Sequence, residues 1–465
     1  MTTLSANPLE AFHWEPQPAA QRVVSELVND FLGRCATARK LAERMRDETG
    51  TRFFDWVGHI VLPPSDARLD QLTAAGYELT STEDDGKLRV FRQPRGMFPT
   101  VVSCDVGGNA MEIALKVESV ADYLAAQGVQ TRVNGEPLSD VRVAIVCQCP
   151  GARLAVIENH GVRGFALPGK APSHAIKRLV HLEACRTRKR DFETDDEGFA
   201  HANKLIDAAI ADIGRDLTCD LWFAAEREYW QRRNRAAQVQ KARQDKLGLG
   251  WANHDHHTYR CSRANFTKLV AMWEKLGFVC RERFYAGREA GWGAQVMEQP
   301  IAGIITFNDV DLTPDELFND FAHEPLGEQD HLGTVGLWCG LHGDSFLQAG
   351  MHHLEAQFDF ESLRDQLERE AGVKTMKPFT NFPYLRQAFT EGERWPVAES
   401  RIARLLSRRL ITQQQADEFR TNGAIGSHLE NLERNDGFKG FNQQGVSEII
   451  SATDPRKQRA GATGR

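Results

Sequence analysis

An apolar strand that carries one polar residue, followed by a helix closing on glycine, occurs four times in this chain. The stretches begin at Val57, Met111, Asp255 and Met351. Their polar residues are His59, Glu112, His256 and His353, and their closing glycines are Gly76, Gly128, Gly277 and Gly372. A unit repeated in this way buries its apolar face against its neighbours, so the repeat constrains the fold more than any single motif does. Short strand signals follow each helix, which makes the expected unit βαβββ. The expected fold class is α+β, with tandem modules forming curved mixed sheets and a helical connecting segment. Strands that turn an imidazole or a carboxylate to the inner face of such a sheet bring candidate metal ligands together.

At 465 residues the chain is too long for one core. Residues 1–170 read as one βαβββ pair. Residues 171–249 read as charged, amphipathic helices, and 250–452 as a second pair with a helical insert at about 396–422. The tail, 453–465, is expected to be disordered. A net charge of −7 gives no footprint for nucleic acid or for an anionic membrane. The basic run RRNRAAQVQKARQDK within 232–246 is expected to be a solvated helix face. No apolar run approaches the roughly 20 residues that span a bilayer, and the first residues have neither a basic start nor an apolar core, so a cytoplasmic protein is expected. Cys147 and Cys149 form a C-x-C on one face of a strand. Zinc there would need two further ligands that the sequence does not place nearby, so buried thiols are expected.

Side chains alternate along a strand. His256, Thr258 and Arg260 therefore share one face and His257 and Tyr259 the other; His353 shares a face with Met351 and Glu355; His428, Glu430 and Leu432 lie together. Two histidines from the first strands of two modules and a carboxylate from a closing strand make a facial triad. That set leaves coordination positions open and suits non-haem Fe(II) and O₂ chemistry. Parity does not choose between His256 and His257, or between His352 and His353, and Glu430 has His428 and Glu433 as neighbours able to replace it.

Residues 250–452 resemble the 2-oxoadipate dioxygenase/decarboxylase family, an iron-dependent branch of the vicinal oxygen chelate superfamily. The resemblance rests on Asp255, His256 and Arg260 in the first strand, on His352, His353 and Leu354 in the second, and on Leu429, Glu430 and Arg434 in the last, followed by Asp436, Gly437 and Phe438. It implies Fe(II) held by His256, His353 and Glu430, and oxidative decarboxylation of a 2-oxo acid to a 2-hydroxy acid one carbon shorter. The small-molecule partners would be the 2-oxo acid and O₂. Arg260, on the face of His256, is expected to clamp a substrate carboxylate. Gln387, in a stretch similar to a pocket-lining family strand, is expected to hydrogen-bond the substrate. A homodimer is left open.

In the N-terminal pair, His59, Glu112 and Glu158 occupy positions that vicinal oxygen chelate proteins often use for metal, with His160 on the face of Glu158. A degenerate copy packed against the catalytic half is the favoured expectation there. Two other functions compete with the dioxygenase: a divalent-metal glyoxalase, epimerase or extradiol-type enzyme of the same fold, and a non-catalytic small-molecule-binding protein.

Overall fold

The structure, a computed structural model, describes residues 14–107, 109–167, 175–442 and 454–456. Two helices come first, α1 (Pro18–Arg34) and α2 (Ala36–Thr49). The first sheet follows as β1 (Val57–Leu62), α3 (Arg68–Ala74), β2 (Glu78–Glu83), β3 (Leu88–Arg92) and β4 (Thr100–Ser103), then β5 (Met111–Lys116), α4 (Val120–Gln127), β6 (Val133–Asn134), β7 (Val141–Cys149) and β8 (Ala152–Asn159). The helical segment comprises α5 (Ala175–Arg186), α6 (Asp195–Ile213), α7 (Arg215–Gln231) and α8 (Arg235–Lys246). The second sheet begins with β9 (His254–Arg260), α9 (Phe266–Lys275), β10 (Val279–Tyr285), β11 (Trp292–Gln299) and β12 (Ile304–Asp311). After α10 (Thr334–His342) come β13 (His353–Gln357), α11 (Phe360–Ala371), β14 (Thr380–Phe382), β15 (Leu385–Phe389), β16 (Glu393–Trp395), α12 (Glu399–Ser407), α13 (Gln413–Asn422) and β17 (Ala424–Arg434).

The two sheets have the same strand order, position by position: β2-β3-β4-β1-β5-β8-β7-β6 and β10-β11-β12-β9-β13-β17-β15-β14, with β16 beside β17. In each, the first strands of two modules pair antiparallel at the centre, and each is flanked by its own module's last strand running parallel. This is the tandem βαβββ arrangement of an α+β fold. The four closing glycines have φ of 93°, 63°, 92° and 65° in chain order. A left-handed residue stops each helix and turns the chain into the next strand, and glycine adopts it without the Cβ penalty.

One face of the second sheet packs on helices. Tyr259, Leu354 and Leu429 join Trp222 and Phe223 of α7 and Trp273 of α9 in the largest core. The opposite face carries Phe284, Trp292, Phe307 and Phe441 and is closed by α10 through Trp338. Helices α1 and α2 cover the first sheet, with Val24, Leu27, Phe31, Leu41 and Met45 buried beside Ile60 and Leu154.

Several elements differ from expectation. The sequence reading did not anticipate α1, α2, β2 or α10. Strand β2 is exposed along its whole length, so it lacks the apolar alternation that reveals a strand. Residues 373–380, which follow the helix of the fourth repeat and read as one strand in the sequence, enter β14 only at Thr380, with a single bridge from Thr375 to Thr390 before it. Pro378, which cannot donate to a ladder, separates the two. The basic run is solvated on one face only, with Arg232, Arg235 and Lys246 exposed and the opposite face buried. In α8, Gln240 donates to Thr49 O, Arg243 to Glu48 O, and Gln244 to Asn253, all three side chains being buried. Within the tail, Asp454 is buried and accepts a hydrogen bond from Thr334; the rest of 453–465, apart from Pro455 and Arg456, lies outside the described residues. Among the described residues, no helix is long and apolar enough to cross a membrane.

Candidate metal centre

Packing resolves the register that parity leaves open. His257 faces the helices: its ring meets Phe223, and its nitrogens contact Arg227 and Ile305 O. His256, one residue earlier, therefore faces the opposite side, toward Phe307 and Phe441. His352 bonds Gly426 O and packs on Trp338, leaving His353 to face inward. The neighbours of Glu430 are occupied elsewhere, since His428 bonds Thr390 O and Glu433 accepts from Phe360 N.

Strand pairing then brings the candidates together. Glu355 lies directly across from His256 on β9 and from Glu430 on β17. Glu355 Oε1 is 2.9 Å from His256 Nε2 and 2.7 Å from His353 Nε2, and His353 Nε2 is 3.5 Å from Glu430 Oε2. One ligand atom each from His256, Glu355 and Glu430 lies within 4.8 Å of the others. The structure thus brings His256 and Glu430 together with Glu355, while His353 stands beside Glu355 and Glu430 but outside the set whose ligand atoms are all within 4.8 Å of one another. The sequence reading passed over Glu355 as a ligand, although it shares a face with His353.

The surroundings fit a divalent cation. Asp255 holds His256 Nδ1 at 2.8 Å, so the Nε2 lone pair is free to aim inward. Asp255 is itself fixed by Arg434 at 2.9 and 3.0 Å and by Gln357 at 2.9 Å. His353 has no such brace; ring contacts with Phe389 and His352 hold it. Gln387 donates to Glu430 Oε1 at 2.9 Å, and Thr258 to Glu355 Oε1 at 2.7 Å. Glu355 Oε2 is buried with no partner.

Burial, reinforced by Glu355, pushes Glu430 well above the usual carboxylate range. Burial would raise Glu355 too, but the imidazoles of His256 and His353 outweigh it and bring it down to about 2. Two buried carboxylates against two imidazoles form a costly cluster without a cation. Two nitrogen and two carboxylate donors suit a borderline or hard divalent ion.

The cluster opens into a small cavity of about 50 Å³. Its wall includes Phe284, Trp292, Phe307, Phe379, Phe389 and Phe441, with Thr380, Gln387 and Asp309 as polar features. Arg260 is not part of that wall. Its guanidinium lies over Trp338, with Nε 3.6 Å from Asp309 Oδ2, and Asp309 stands between it and the cavity. A direct clamp on substrate by Arg260 is therefore not the arrangement present. Asp309 is fully buried; burial outweighs Arg260 and pushes its carboxyl up to about 8.

The first sheet repeats this register with a histidine in place but without the two carboxylates. His59 lies across from Ala114, and Ala114 across from Ala155. These are the positions of His256, Glu355 and Glu430 in the second sheet. Glu112 pairs with Arg153, and His59 Nε2 is 3.9 Å from Glu112 Oε1. Glu158, an odd number of residues from Ala155 and Arg153, points to the other face and bonds Val120 N, Arg142 and His160. His59, Glu112 and Glu158 thus form no cluster of ligands among the described residues.

No protein-family model matches the chain, and no curated protein matches it in sequence. Solved structures with partial likeness include a 4-hydroxymandelate synthase mutant from Streptomyces coelicolor, at 12% identity over 86% of this chain and 98% of that one, with a TM-score of 0.26. A protein assigned to the glyoxalase superfamily from Ralstonia eutropha JMP134 is 12% identical over 56% of this chain and 92% of its own, with a TM-score of 0.30. Methylmalonyl-CoA epimerase from Mycobacterium tuberculosis is 11% identical over 39% and 88%, with a TM-score of 0.23. Likeness at this level carries no argument about chemistry, which rests on the site itself.

Proposed function

We propose that the cavity is the active site of a divalent-metal enzyme of vicinal oxygen chelate type. The proposed reaction is Fe(II)-dependent oxidative decarboxylation of a 2-oxo acid to the 2-hydroxy acid one carbon shorter. The observation that carries the reading is the convergence of His256 and His353 Nε2 on the carboxylates of Glu355 and Glu430 inside an aromatic enclosure. His256, His353 and Glu430 would hold the metal as a two-histidine, one-carboxylate face. When bound there, Fe(II) supplies chelation of the 2-oxo acid and the redox chemistry of O₂. One O₂ is consumed and one CO₂ released per turnover, with no external reductant.

The chain's own residues do the rest. Asp255 and Arg434 fix the ring of His256, and Gln387 holds Glu430 in one orientation. Thr258 holds Glu355, whose second oxygen has no partner and is free to take a proton or a coordination position. The six aromatic rings exclude water from the reacting end of the substrate. Asp309, whose carboxyl burial pushes up and which faces the cavity, can donate a hydrogen bond to a substrate oxygen when protonated. Among the described residues no lysine or arginine lines the cavity, so the substrate proposed is a 2-oxo acid with an uncharged, apolar tail rather than a dicarboxylate such as 2-oxoadipate.

Glu355 favours a second reading. Two histidines and two carboxylates would fill four positions, which suits a redox-silent metal isomerase or lyase in which a glutamate moves a proton. The test is O₂ uptake and CO₂ release by the iron-loaded protein with a panel of 2-oxo acids. Matched consumption and release, fastest with aryl or branched tails, supports the dioxygenase. Metal binding without O₂ uptake moves the protein to the second reading.

A further inference from the structure

A second cluster of metal-ligating side chains lies in the N-terminal half, away from the candidate metal centre. Cys35 joins α1 to α2, and Cys147 and Cys149 are on β7. Their sulfurs form a nearly equilateral triangle: Cys35 to Cys147 is 3.8 Å, Cys35 to Cys149 is 3.4 Å, and Cys147 to Cys149 is 3.5 Å. All are free thiols. A tetrahedral ion with metal–sulfur bonds of about 2.3 Å holds its sulfurs about 3.8 Å apart, so the triangle needs only a small expansion to accept one.

Three features of the fold build this triangle. The register of β7 against β8 shifts between Ile145 and Cys147, which resets the strand just before the C-x-C. Cys147 and Cys149 then share a face, and the α1–α2 junction lowers Cys35 onto it. Cys35 is also the N-cap residue of α2, a helix of 14 residues, so the N-terminus of that helix lies beside the sulfurs. Cys35 is buried whereas Cys147 and Cys149 are half-buried, so an ion has a route in and a fourth position open to water.

We propose that Cys35, Cys147 and Cys149 form a three-thiolate site for a thiophilic d¹⁰ cation of the Zn(II) or Cd(II) type, with water as the fourth ligand. Soft sulfur donors select such ions over the hard or borderline ions suited to the histidine–glutamate cluster, so the chain would hold two metal sites of different preference. Binding displaces thiol protons and joins the α1–α2 junction to β7, so it also stabilises this half of the molecule.

The probe is Cd(II), added under anaerobic conditions to the reduced full-length protein and followed by its ultraviolet thiolate-to-metal charge-transfer band. One equivalent should bind with that band, and Cys147→Ser and Cys149→Ser should each weaken binding by about 100-fold or more, since losing a direct ligand exceeds the cost of losing an outer one. Cys35→Ser should do the same; if burial of Cys35 prevents that variant from folding, the two β7 variants decide. Cys185→Ser, on α5, should leave the band unchanged. A reduced protein with no band overturns the proposal, and so does a band that survives loss of Cys149. Closure to a disulfide on mild oxidation, with no uptake of metal by the reduced form, overturns it as well.

Discussion

Asp255 sets the direction of His256 Nε2, and Arg434 and Gln357 set Asp255. Asp255→Asn should therefore lower Fe(II) affinity by about 10- to 100-fold without unfolding the protein, measured by anaerobic metal titration. His353→Ala should abolish Fe(II) binding while His352→Ala largely spares it, because His352 is held outside the cluster by Gly426 O and Trp338. The reverse result would mean that the register is wrong. Away from the centre, His160 is bracketed by Glu158 at 2.9 Å and Asp220 at 3.0 Å. Burial opposes its charge, but the two carboxylates outweigh burial and raise it to about 9. A raised histidine stabilises the fold fully below its unfolded value of about 6.5 and loses that contribution as pH rises through the folded value. The stability gap between wild type and His160→Gln, measured by urea unfolding, should be wide near pH 6 and close toward pH 10. At this scale the sequence was legible where period-2 alternation decides: His256, His353 and Glu430 each fall on an inner face. Choosing them over His257, His352 and Glu433 needed the helices packed behind the sheet. Arg260 lies outside the cavity wall, beside Asp309 on the adjacent strand, because a shared face does not say how far a side chain reaches.

The repeated helix-to-glycine element has a testable cost structure. Gly372 closes α11 at φ 65° with open space where a Cβ would go, so Gly372→Ala should cost about 1 kcal/mol from backbone strain alone. Gly50 closes α2 at a similar φ of 63°, but a Cβ there would lie 2.7 Å from Leu363 Cα on α11. Gly50→Ala should therefore destabilise the protein distinctly more than Gly372→Ala in the same unfolding assay; equal effects would mean that α2 and α11 can move apart freely. The elements with strong periodicity, such as β5, α9 and α11, were readable because an apolar face must be buried. Strand β2 was not, because both of its faces meet water, and the buried polar face of α8 was not, because hydrogen bonds rather than apolar contacts hold it.

Across the whole molecule, two sheets of identical strand order carry different chemistry. The alanines at 114 and 155 stand where the second sheet has Glu355 and Glu430, so the first sheet keeps the scaffold and lacks these two carboxylates. Fe(II) should accordingly bind at one equivalent per chain rather than two, and His59→Ala should leave that equivalent in place. The duplication was legible from the four-fold repeat. The loss of donors in one copy was not, because it depends on which residues face each other across strands, and register between distant strands is a tertiary property.

The most direct test of the account is anaerobic Fe(II) binding to the full-length protein, compared between wild type and the variants His256→Ala, His353→Ala and Glu430→Ala. The account predicts one tightly held equivalent in wild type that each of the three substitutions removes. Absence of iron binding in wild type, or binding undiminished by all three substitutions, would contradict it.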